Sequence, residues 1–135
     1  MKTGILAGTF DIIHPGYIDL FEFCKQNCDK FIILLHSNPN IERKNKKIPI
    51  FSVEERIKIL KSIKYIDDVL VYNTDEKLFD FLKSQRFDIR FLGSDYKSCL
   101  SKITGYNLVP IIFHERNHPW SYTELCRKII EREKI

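Results

Sequence analysis

The sequence predicts one α/β domain built on a parallel sheet that is wound in both directions and covered by helices. Three observations carry that expectation. Short apolar runs alternate with amphipathic helical patterns, the order that produces right-handed strand–helix–strand crossovers. The run over 30–35 is dense in Ile, Leu and Phe without polar alternation, as in a strand buried on both faces. At 135 residues the chain has material for a single core, so 1–135 reads as one domain.

The elements follow in order. Residues 3–7 form a strand, 8–16 a turn-rich segment and 16–26 a helix. The second strand over 30–35 leads into a polar, basic stretch over 36–49, the longest expected loop. Ser52 and Glu55 have the spacing of a capping box, and the helix they open carries Val53, Ile57 and Leu60 on one face. A third strand over 69–72 precedes a helix over 75–83 with Leu78, Phe79 and Leu82 inward. Strands four and five fall over 89–92 and 108–113. Ser121 and Glu124 form a second capping-box pattern, and the last helix presents Tyr122, Leu125, Cys126 and Ile129 at helical spacing. The sum is a Rossmann-like, doubly wound domain with a five-stranded parallel sheet. In such sheets ligands bind beyond the C-terminal strand ends, where the strand order reverses. The loops after strands one, two, four and five are therefore the place to look.

Composition narrows the function classes. With 44% hydrophobic and 30% charged residues the chain is ordinary for a soluble domain. No apolar run approaches the roughly 20 residues of a membrane span, and the N-terminus lacks a signal-peptide layout, so a cytoplasmic enzyme without a membrane partner is expected. Cys24, Cys28, Cys99 and Cys126 form no CxxC pair, which favours free thiols over a zinc site. The formal charge of +4 suits an anionic small substrate. No nucleic-acid partner is expected, because the basic run over 43–47 is not interleaved with aromatics.

After the first strand comes Gly8-Thr9-Phe10-Asp11-Ile12-Ile13-His14-Pro15-Gly16-Tyr17. Its glycines permit close backbone approach, and the helix that follows offers unpaired N–H groups to an anion. His14 and Tyr17, three apart, share a face near that positive end. GxxxxGK[ST] and GxGxxG are both absent, which argues against a P-loop NTPase and a dinucleotide dehydrogenase. Each residue also has a plainer reading. His14 can cap the helix, and Tyr17 lies on an apolar stripe with Leu20, Phe21 and Cys24. The lysines over 43–47 can be a solvated loop, Arg56 can pair with Glu54 or Asp67, Asp95 can end a strand, and Ser121 is a cap on any reading.

Gly8-Thr9-Phe10-Asp11 followed by His14-Pro15-Gly16-Tyr17 resembles the GTFD…HxGH signature of the HIGH-motif nucleotidyltransferases, and most closely the glycerol-3-phosphate cytidylyltransferases. The resemblance runs along nearly the whole chain. Lys44-Asn45-Lys46-Lys47 is similar to that family's lysine-rich loop, and Glu54-Glu55-Arg56 with Lys64-Tyr65-Ile66-Asp67 to its E-x-R…R-Y-V-D stretch. Leu92-Gly93-Ser94-Asp95-Tyr96 resembles its G-D-D-W segment, and Arg116 with Ser121-Tyr122-Thr123 its final signature.

The resemblance implies transfer of a nucleotide from CTP to glycerol 3-phosphate, by in-line attack on the α-phosphorus with release of pyrophosphate. Such chemistry rests on positioning and positive charge. It implies His14, Lys44, Lys46 and Tyr17 as catalytic residues. It implies Gly8, Thr9, Phe10, Asp11, Gly16, Arg56, Lys64, Gly93, Asp95, Arg116, Ser121 and Thr123 as nucleotide-binding ones, with Mg²⁺ bridging the phosphates and a homodimer as the assembly. Three positions depart from the pattern. Tyr17 stands at the second signature histidine, Lys64 at an arginine, and Tyr122 at a small hydroxyl residue. The alternatives are cytidylyl or adenylyl transfer to another phosphorylated alcohol, and a weakly active nucleotide-binding module.

Overall fold

A computed structural model describes the whole chain, Met1–Ile135. Five strands, β1 (Thr3–Gly8), β2 (Lys30–His36), β3 (Asp68–Tyr72), β4 (Ile89–Gly93) and β5 (Ile111–His114), form one parallel sheet in the order β3-β2-β1-β4-β5. The helices are α1 (Pro15–Gln26), α2 (Val53–Lys61), α3 (Asp75–Ser84) and α4 (Tyr122–Glu133), with a 3₁₀ segment over Ser94–Lys102. The chain winds outward from β1 to β3, returns to the other side of β1 for β4, and so reverses between β1 and β4.

Both faces of the sheet are covered. Leu6, Phe31, Ile33, Leu35 and Phe91 pack with Phe21 and Cys24 of α1 and Leu60 of α2. Ile5, Ile32 and Leu34 pack with Leu78 and Leu82 of α3. Phe21, Phe31 and Phe91 are fully buried, each burial stabilising by roughly 1.5–3 kcal/mol. The capping box at Ser52 is complete, with Glu55 N–H donating to Ser52 Oγ at 3.1 Å and Ser52 N–H to Glu55 Oε1 at 2.9 Å. At α4 only half of the box forms. Glu124 N–H donates to Ser121 Oγ, but the Glu124 carboxylate turns to Arg127.

Two expectations are corrected, and Lys64 is located. The fifth strand starts at Ile111 rather than 108, because Gly105 at φ 65° and the Leu108 N–H to Gly105 carbonyl bond hold that stretch in a turn. Phe79 is 40% exposed, and Phe81 packs toward the core beside Leu78 and Leu82. Lys64 lies in the turn between α2 and β3, at the N-terminal edge of a parallel sheet and so opposite the edge where ligands bind. Its ammonium sits 5.2 Å from the Tyr65 ring centre. No helix is long and apolar enough to cross a membrane.

Candidate active site

The site is built where β1 and β4 part. Past Gly8, Phe10 turns the chain in the left-handed region at φ 48°, a cost supported by its ring, which is buried edge-on against Tyr17 and Phe21 at 5.6 and 5.7 Å. Asp11 next accepts the N–H groups of Ile50 and Phe51 at 2.8 and 2.9 Å, so its carboxylate ties this turn to the end of the basic loop. The chain then enters α1 with His14 as N-cap and Pro15 as the first helical residue, where a missing N–H costs nothing.

His14 performs the capping role and faces the cleft as well. Its Nδ1 accepts the Gly16 N–H at 3.1 Å, which leaves the proton of the neutral ring on Nε2. Burial, then the nearby His118 and Arg116, lower its pKa below the ordinary value. His14 is thus a neutral donor near pH 7. The Tyr17 ring stacks on it at 4.3 Å between centroids and packs on the core behind, and Tyr17 also lines the cleft. Burial raises the Tyr17 pKa, so the phenol keeps its proton. Both readings of Tyr17, packing and contact, are compatible with this place.

The cleft holds about 130 Å³. A whole small-molecule site takes roughly 300 Å³ or more, so these walls enclose one end of such a ligand. His14, Gly16, Tyr17, Gly93, Asp95, Arg116 and Ser121 come together there. Asp95 folds back over the end of β4, its Oδ1 2.5 Å from where a Cβ on Gly93 would stand. Ser121 caps α4, whose first N–H groups, on Tyr122 and Thr123, lie ahead of any intrahelical partner and can meet an anion. Arg116 forms none of the chain's ion pairs and shares the cleft with Asp95.

The other expected residues stand elsewhere. Gly8, Thr9, Phe10 and Asp11 shape the turn without lining the cleft, and the Thr123 side chain is exposed. Lys44 and Lys46 are exposed in the loop after β2. Arg56 is held by the backbone. It is 1% exposed and donates to four backbone carbonyls, those of Phe51, Thr9, His36 and Ser37. Four of the five guanidinium N–H groups are engaged in this way, and Arg56 binds the loops after β1 and β2 to the start of α2.

Sequence reasoning missed His114, His118 and Tyr122 in the cleft wall. The available signal was a histidine two residues on either side of Arg116, past the last strand. Burial first, then His118, lowers the pKa of His114; burial first, then Arg43, lowers that of His36. With His14, three imidazoles therefore take up a proton more readily in the unfolded chain. Stability is full above their ordinary value of about 6.5 and falls as pH drops below it. Thermal melts at pH 7.5 and 5.5 check this. A lower Tm at 5.5 is expected, and equal values contradict it.

The model of the cytidylyltransferase-like family matches residues 5–129. Over 91 residues the chain is 31% identical to an FAD synthase of Pyrococcus horikoshii, covering 67% of this chain and 62% of that protein. Over 110 residues it is 32% identical to the bifunctional protein HldE of Hyphomonas neptunium, covering 81% of this chain and 22% of that protein. The chain thus spans less than two thirds of these relatives. A lipopolysaccharide core biosynthesis protein from Thermoplasma volcanium has the same fold at a TM-score of 0.69 and 25% identity, over 87% of this chain and 99% of that one.

Proposed function

From the premise that this chain belongs to the cytidylyltransferase-like family and is a nucleotidyltransferase, we propose that it transfers adenylate from ATP to a small phosphorylated alcohol. The observation that carries the reading is the meeting of Arg116, the Nε2–H of His14 and the start of α4 in one cleft at the sheet's reversal point. The choice of ATP rests on FAD synthases among the relatives, whose name states an adenine dinucleotide product. The family model is compatible with CTP and glycerol 3-phosphate too, and that pair is the second arm of the test.

In the step, an oxygen of the acceptor phosphate attacks the α-phosphorus, the bond from that phosphorus to the bridging oxygen breaks, and pyrophosphate leaves. A phosphate monoester, with a second pKa of about 6, is already largely a dianion at pH 7, so no protein base has to remove a proton. The neutral state of His14 agrees with this. What the protein supplies is donors aimed at developing charge: His14 Nε2–H, the Tyr17 hydroxyl, the Arg116 guanidinium and the N–H groups that open α4. Lys44 and Lys46 would join them from the loop after β2.

Mg²⁺ in such chemistry neutralises phosphate charge and keeps most of its waters, needing one or two protein carboxylates. Asp95 in the cleft fits that demand and would hold it; Asp11, with both oxygens accepting backbone N–H groups, does not.

Pyrophosphate release with Mg²⁺ and each of ATP, CTP, GTP and UTP, against glycerol 3-phosphate, sugar phosphates and FMN, tests the reading. Release is expected with ATP and one phosphorylated acceptor. Release with CTP alone moves the assignment to cytidylyl transfer. Equal turnover of the unphosphorylated alcohol, or no release with any pair, overturns the proposal.

A further inference from the structure

We infer that His118 is a catalytic residue of this site, giving the phosphate chain of the nucleotide the second imidazole N–H that position 17 does not carry. The inference rests on the nucleotidyl-transfer reading and names a residue of that same site.

Two features place the ring. His118 lines the cleft, and it lies flat on the first turn of α1: a Cβ on Gly16 would stand 2.2 Å from His118 Cε1 and 2.6 Å from Nε2. Only glycine at 16 lets the imidazole come this close to the helix start. The two imidazoles are also built alike. His118 Nδ1 accepts the Trp120 N–H at 3.1 Å, as His14 Nδ1 accepts the Gly16 N–H, in both cases from two residues ahead. With Nδ1 occupied, the proton of each neutral ring is on Nε2. The ring centroids are 6.2 Å apart and the rings are steeply inclined, so the two imidazoles line one cleft at different angles.

Chemistry explains the use of such a pair. Charge that develops on phosphate oxygens during transfer is stabilised by fixed donors that need no reorganisation. Each ring is fixed twice, by its Nδ1 bond and by packing: His14 on Tyr17, His118 on Gly16. Tyr17 offers a hydroxyl on a ring committed to the core, whereas His118 arrives from the segment after β5, across the cleft. The competing reading gives His118 the role of a turn cap and nothing more.

Asparagine separates the two readings, because its Oδ1 can take over the Nδ1 acceptor role while nothing replaces Nε2–H. For His118→Asn, kcat for pyrophosphate release is expected to fall at least about ten-fold with KM for ATP within about three-fold, because the donor acts in the transition state. The Tm should stay near wild type. His118→Gln, whose amide N–H reaches toward the lost donor, should regain part of the rate. A His118→Asn kcat within about two-fold of wild type, or a loss that follows a fall in Tm, overturns the inference. Titration of the wild-type chain with inorganic pyrophosphate, followed by ring ¹⁵N signals, decides the matter independently of turnover. A shift at His118 Nε2 is expected, and an unmoved signal at saturation refutes the contact. A wild-type chain that turns over no nucleotide counts against the proposed function, while the titration still decides on His118.

Discussion

His14→Asn is expected to fold like the wild type and to lose two to three orders of magnitude in kcat, on the scale of about 2.7–4 kcal/mol for one well-placed oxyanion donor. Asparagine is among the best N-cap residues, so it can keep the Gly16 N–H satisfied while removing Nε2–H. His14→Ala removes both, and should add about 1 kcal/mol of lost stability to the same loss of rate. Urea unfolding and single-turnover kinetics on the two variants divide the roles. A His14→Asn enzyme with wild-type kcat would reduce His14 to its cap.

The largest effect on stability belongs to Arg56. Truncating it to alanine leaves four carbonyls, drawn from three segments of chain, without their charged donor. Hydrogen bonds to charged groups contribute about 1.5–3 kcal/mol each and are not additive, so a loss of at least about 3 kcal/mol is expected from urea unfolding. Lysine should recover little, because one ammonium cannot span the fork of a guanidinium. A small stability change with a raised KM for nucleotide would return Arg56 to the phosphate-binding set.

Arg56 also shows what a sequence conceals. Its partners are backbone carbonyls, and these leave no trace in residue identity. The same holds for Gly16 and His118, which touch although they lie far apart in the chain. By contrast, the strands were readable because a parallel sheet covered on both faces demands continuous apolar runs, as at β2, and the turn after β1 was readable because Gly8 to Tyr17 resembles a known signature. Lys64 could have been placed better from topology alone, since a residue just before a parallel strand sits at the edge away from ligands. The 3₁₀ segment over Ser94–Lys102 was missed because it buries no residue and so imposes no apolar period.

The basic loop is moored at two posts. At one end Arg43 pairs with Asp75 at 2.7 Å and Glu42 accepts the Asp75 N–H at the start of α3. At the other, Asp11 holds Ile50 and Phe51 beside the turn that leads to His14. The lysines between them are on a short tether, since a chain reaches at most about 3.3–3.6 Å per residue. On the proposed reading, their ammonium groups are held at a raised effective concentration near the C-terminal strand ends, and lengthening the tether dilutes them. On that reading, affinity for a polyphosphate depends on the length of the span between the posts as well as on the charges it carries.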